Sequence, residues 1–167
     1  TTTNIGNKLE DLTEYLLNLC PVFKAAGVRT ATNQIDCCVR NKMYLKYGIL
    51  DIIGGRFFIE CKNESESPKG GYMSKLHSII SNTNSGGKGR CIKFGIIISK
   101  KKGPKTFKAL AVKYYLLNGV VIIAICGTEL KELFDKKGNL LDLIERKANE
   151  IMLDSTTDLK EAGLYEW

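Results

Sequence analysis

Two uninterrupted apolar runs constrain the fold of this chain more than any other feature. They are "CIKFGIIIS" (91–99) and "VVIIAI" (120–125). A strand half exposed to water alternates apolar and polar side chains. A strand covered on both faces reads instead as a continuous apolar run. Between them lies "KTFKALAVKYYLLNG" (105–119), a helical segment with Gly119 at the position of a C-cap. Strands that alternate with helices, after an opening set of strands, predict a mixed β-sheet flanked by helices on both faces, an α/β fold.

The opening set lies upstream. Residues 5–19 place Ile5, Leu9, Leu12, Leu16, Leu17 and Leu19 near helical spacing, with Asn4 as a cap and Pro21 at the end. "NQIDCCVR" (33–40) reads as a strand, and "YGILDIIGGRFFIECK" (47–62) as two strands joined by a Gly54-Gly55 hairpin turn. "SESPKGG" (65–71) is a loop, "YMSKLHSII" (72–80) a short helix and "SNTNSGGKG" (81–89) a connector. Residues 128–152 read as helical with a break at "KKGN" (136–139), and the last fifteen residues are polar. The predicted order is helix, three strands, helix, strand, helix, strand, helix, with no internal repeat.

The length of 167 residues suits one domain with one sizeable core. The expected core spans residues 5–135, followed by a C-terminal helical extension over 139–167. The chain opens on Thr-Thr-Thr without Met, so the expectation is a domain excised from a larger multidomain protein. No apolar stretch reaches the roughly 20 residues that span a bilayer. Six cysteines sit mostly in apolar runs with no C-x-x-C pair, which points to reduced buried thiols in a cytoplasmic protein and away from zinc.

Charge is unevenly distributed. Residues 67–128 hold eleven Lys/Arg and no Asp or Glu, whereas residues 129–167 hold six basic and ten acidic residues. A block of that length without a carboxylate favours a polyanionic partner. Lys88, Arg90, Lys100, Lys101, Lys102 and Lys105 are the candidate phosphate contacts, several of them at the end of a strand, where α/β sheets collect ligands. No residue stands out as a reader of base edges, so weak sequence specificity is expected.

"RFFIECKN" (56–63) carries the chemistry. Residues two apart on a strand share a face, so Glu60 and Lys62 project together while Ile59 and Cys61 face the other way. A charge pair on a central strand costs several kcal/mol in desolvation unless it is compensated. Either the two groups pair with each other, or a divalent cation sits on Glu60 and Lys62 meets an anion. Mg²⁺ takes oxygen ligands, so further acids are expected nearby. Asp36, which interrupts "QIDCCV", and Glu10, beside Leu9 on the first helix, are the candidates.

Glu10, then "QID" (34–36), then "ECK" (60–62) resembles the E…D…(D/E)-x-K pattern of the restriction-endonuclease-like, or PD-(D/E)xK, nuclease superfamily. The likeness is nearest to Mrr-type restriction endonucleases and anti-phage effector nuclease domains, and it covers residues 5–135. It departs from the pattern at Ile35, where the family name has Pro. The resemblance implies a core of a helix, three strands, a helix and a strand, and a Mg²⁺-dependent DNA endonuclease in which Mn²⁺ can substitute. It implies that Asp36, Glu60 and the backbone carbonyl of Cys61 ligate the metal. Glu10 would act in the outer shell or on a second metal, and Lys62 would orient or deprotonate the attacking water and hold the scissile phosphate. Double-stranded DNA would be the substrate, cut in antiviral defence. Cutting both strands calls for a homodimer or an assembly with further domains.

Asp51 rivals Asp36, because a Gly54-Gly55 hairpin would set it opposite Phe58 on the Glu60 side, an arrangement that resembles Holliday-junction resolvases. Glu14 rivals Glu10 one helical turn on. The remaining alternative is a catalytically silent nucleic-acid-binding module. His77, the single histidine, has no partner for Ser-His or Cys-His chemistry, and "GGKG" (86–89) lacks the phosphate-loop spacing.

Overall fold

The computed structural model describes residues 2–29, 34–43, 47–85 and 91–153. Helix α1 (Thr2–Leu19) is followed by β1 (Phe23–Arg29), β2 (Gln34–Asn41), α2 (Ile49–Ile53), β3 (Arg56–Lys62) and α3 (Gly70–Ser85). The chain continues with β4 (Phe94–Ser99), α4 (Lys105–Asn118), β5 (Val121–Cys126), α5 (Gly127–Asp135) and α6 (Leu140–Met152). The five strands form one mixed sheet in the order β1-β2-β3-β4-β5. The pairs β1–β2 and β2–β3 are antiparallel, and β3–β4 and β4–β5 are parallel. No helix among the described residues is long and apolar enough to cross a membrane.

The parallel half follows directly from the apolar runs. Every residue of β4 is buried, and in β5 only Ala124 is partly exposed. Gly119 ends α4 in the left-handed conformation, at φ 64°, and its N–H bonds to the Tyr115 carbonyl. Asn4 lies inside α1, which starts at Thr2, so it is not the cap.

The antiparallel half differs from expectation. Residues 49–53 form a short helix instead of a strand. Ile49 and Ile53, four apart, are both buried while Asp51 between them is exposed. That is helical spacing, not alternation. Gly54 terminates the helix at φ 67°, with its N–H on the Leu50 carbonyl, so Gly54-Gly55 is a helix exit and not a hairpin turn. The third strand is β1. Phe23 and Ala25 are buried and Lys24 and Ala26 exposed, an alternation that breaks at Gly27, where the pairing with β2 shifts register, and Ala25, Ala26 and Gly27 are residues of low strand propensity. The antiparallel partner of β3 is therefore β2, with Cys38 opposite Phe58.

Helix α1 covers one face of the sheet, where Thr13 and Leu17 approach Ile96 and Ile98. That face is packed by Phe23, Phe57 and Phe94 in an edge-to-face chain, with centroids 5.4 and 5.7 Å apart. Helices α3 and α4 cover the opposite face, and α6 packs against β5 and α4. Gly95 sets the height of α3. A Cβ at this position would lie 3.0 Å from Leu76 Cδ2 and 3.1 Å from Ile80 Cδ1. Gly95→Val should therefore overpack the α3 interface and cost about 1–3 kcal/mol. A urea denaturation midpoint equal to that of the wild type would show that α3 sits farther out.

Candidate active site

The ladder between β2 and β3 runs from Arg40↔Arg56 to Cys37↔Ile59 and stops there. One residue further, Asp36 faces Glu60, on the α3 side of the sheet. The next amide on β3, that of Cys61, does not find a strand carbonyl. It donates to Asp36 Oδ2 at 2.7 Å. A buried N–H needs a partner, and a carboxylate serving that need holds the two strands together at the point where their pairing ends.

Glu60 is buried, 1% exposed, and two ammonium groups meet its Oε1. Lys62 Nζ lies at 2.8 Å and Lys75 Nζ, from α3, at 2.6 Å. Lys62 also lies 4.6 Å from the centroid of the Tyr72 ring, a cation–π contact. The Tyr72 hydroxyl donates to Glu64 Oε1, and that bond is the largest cause raising the tyrosine pKa. The charge on the strand is thus compensated twice, once by its neighbour two residues on and once from the helix above.

The titrations follow from this geometry. Burial pushes the Asp36 carboxyl up, the Cys61 amide pulls it back, and the charge of Glu60 adds to the rise; the net shift is upward. Burial works against the Lys62 ammonium, but the hydrogen bond and charge of Glu60, with the charge of Asp36, outweigh it and raise the pKa. The sequence left open which influence wins at Lys62; in this arrangement the carboxylates do. Burial, chiefly, pushes the Cys61 thiol up to about 12.

The expected site residues divide into groups. Asp36, Glu60 and Lys62 come together. Glu10 is half-buried on α1, one turn before Thr13, whose Oγ1 lies 3.4 Å from Cys61 Sγ. That helix lies on the Cys61 side of the sheet, opposite Lys62. The Glu10 charge reaches Cys61, where it contributes to the raised thiol pKa. Glu14 accepts from the Gly27 amide at 3.3 Å and ties α1 to β1. Asp51 is exposed on α2, not paired across from Phe58, which removes the residue on which the resolvase arrangement rested. His77 stacks on Tyr114 at 4.0 Å and bonds Asn118, between α3 and α4. Lys100, Lys101 and Lys102 are exposed beyond β4, and the Lys100 amide bonds the Lys62 carbonyl at 3.1 Å. Lys105 opens α4. Lys88 and Arg90 lie outside the described residues.

Lys75 was not legible as a site residue. Its segment, "YMSKLHSII", shows it only as a polar position on an amphipathic helix, and nothing local says that α3 returns over Glu60.

Among the described residues, no three His, Cys, Asp or Glu side chains form a group able to hold a metal ion. Mg²⁺ commonly takes one or two carboxylates and keeps several waters. Asp36 and Glu60 fit that smaller requirement. The described contacts engage Asp36 Oδ2 and Glu60 Oε1, with the second oxygen of each carboxylate outside them. Comparison with family models, with curated proteins and with solved structures finds no match.

If two ammonium groups make Glu60 tolerable in the core, Lys62→Met/Lys75→Met should lose about 3–5 kcal/mol. Adding Glu60→Gln to that pair should recover much of the loss. Urea unfolding of the three proteins measures both effects; a double variant as stable as wild type would contradict the compensation.

Proposed function

We propose that this chain is a metal-dependent DNA endonuclease of the restriction-endonuclease-like type. The single observation that carries the reading is the meeting of Asp36 and Glu60 on adjacent strands, with Lys62 bound to Glu60. The order also supports it: a helix, then β1, β2 and β3 with the short α2 inserted between β2 and β3, then a helix and a strand. Asp36, Glu60 and the Cys61 carbonyl would hold Mg²⁺ or Mn²⁺, which when bound lowers the pKa of a water and offsets charge on the phosphate. Glu10 would act at most through the outer shell or on a second metal.

The chain's own residues do the rest. Lys62 stays protonated beside two carboxylates, which suits it to hold the scissile phosphate and stabilise its developing charge, not to remove a proton. The Cys61 amide fixes the Asp36 carboxylate. Lys75, 2.6 Å from Glu60 Oε1, compensates the Glu60 charge and would compete with a metal for that oxygen. Lys100, Lys101, Lys102 and Lys105, within the stretch from residue 67 to 128 that holds no carboxylate, would attract the DNA backbone. Antiviral defence is the proposed setting. Cleavage of both strands would use two copies of the chain, or a second domain.

Supercoiled plasmid in Mg²⁺ should become nicked, and EDTA should abolish the reaction. Glu60→Gln and Lys62→Met should each lower the rate by about 10²–10⁴, the range of one acid–base or electrostatic group. A chain that binds plasmid but never nicks it under Mg²⁺ or Mn²⁺ is the silent nucleic-acid-binding module instead. Lys75→Met should tighten Mn²⁺ binding several-fold, about 1 kcal/mol, because a competing ammonium is gone from Glu60. Calorimetry of the two proteins with Mn²⁺ alone measures this; unchanged or weaker affinity would remove Lys75 from the site.

A further inference from the structure

A cleft of about 260 Å³ opens on the α3–α4 side of the sheet, between Met73 of α3, the first turns of α4, the inner face of β5, and α6. It lies at the same end of the sheet as Glu60 and Lys62. Ser99, at the end of β4, belongs to its lining, and the β3 residue paired with Ser99 is Lys62. One strand spacing, about 4.8 Å, therefore separates the backbone of the candidate site from the edge of the cleft.

The walls have two characters. Met73, Phe107, Ile122 and Ala124 supply an apolar floor. Five cations and two carboxylates supply the polar part. Two of the cations are matched within the lining: Lys147 to Glu129 at 2.5 Å, and Arg146, 6% exposed, to Glu150 at 3.1 Å. Lys102, Lys105 and Lys108 have no ion-pair partner among the described residues. Lys105 and Lys108, three apart on α4, project together. The cleft thus combines a net positive rim with an apolar floor. Its volume lies just below the roughly 300–1,000 Å³ of drug-sized pockets, too small for a dinucleotide. A ligand with a compact, flat, uncharged body and an anionic phosphate fits both features, and one nucleotide has that chemistry.

We propose that this cleft is a nucleotide subsite, seating one nucleotide of the strand being cut, with its phosphate on Lys102, Lys105 and Lys108. The assignment to the cut strand rests on the nuclease reading; the nucleotide chemistry rests on the cleft itself.

Calorimetric titration of the full chain with deoxyadenosine 5′-monophosphate, and with deoxyadenosine, tests it. The monophosphate should bind and the nucleoside should not. Lys105→Ala/Lys108→Ala should weaken binding about tenfold or more, while Lys113→Ala, which removes an exposed charge elsewhere on α4, should leave it unchanged. A single-stranded oligonucleotide should compete with the monophosphate. The proposal is overturned by absence of monophosphate binding, by equal losses in the Lys113 variant, or by an oligonucleotide that does not compete, which assigns the cleft to a free nucleotide. Plasmid nicking separates this result from the reaction. An inactive chain that binds the monophosphate through Lys105 and Lys108 refutes the nuclease and keeps the nucleotide site. An active chain whose monophosphate affinity and nicking rate both ignore the double variant refutes the cleft and keeps the nuclease.

Discussion

A carboxylate buried in the central strand of a sheet is the constraint on which this structure turns. Glu60 sits among Phe58, Ile59 and Cys61, where water cannot solvate it. Leaving such a charge alone would cost more than most single interactions in a protein can offset. Two ammonium groups on one oxygen make the position tolerable. One comes from the strand itself and is fixed by the two-residue repeat. The other requires α3 to lie directly above, and α3 lies there because Gly95 has no side chain to hold it off.

The same arrangement concentrates charged groups at one end of the sheet. The β2–β3 ladder stops at Cys37↔Ile59, the Asp36 carboxylate takes the stranded amide of Cys61, and beyond that point the backbones are free of mutual pairing. Three parallel neighbours, β3, β4 and β5, end on this side, and the lysine-rich turn after β4 and the cationic cleft beside Ser99 follow. A crevice at the carboxyl ends of parallel strands is where open α/β sheets gather ligands. Charge compensation in the core and an anion-attracting rim are thus two consequences of one topology.

Local pattern carried part of this architecture and failed at a definite place. Continuous apolar runs reported β4 and β5 because burial on both faces erases alternation. Glu60 and Lys62 were legible as a same-face pair because the strand repeat is short and rigid. Residues 49–53 were misread because "ILDII" satisfies a strand by composition and a helix by the spacing of Ile49 and Ile53, and five residues are too few for periodicity to decide. β1 was overlooked because Ala25, Ala26 and Gly27 carry little strand propensity, and the pairing with β2 outweighs that preference.

What the amino-acid sequence determined by itself is the class of sheet, the burial of its parallel half, and a carboxylate and an ammonium side by side on a strand. These depend on neighbours within a few residues, whose relative directions the backbone repeat dictates. What only the tertiary structure decided is which acids and bases share a space. Asp36 joined Glu60 while Glu10 stayed on the opposite face with α1, Asp51 moved out onto a helix, and Lys75 arrived from fifteen residues away. Contacts across such separations depend on strand order and helix height. Both are set by the packing of the whole core, which no local stretch of sequence contains.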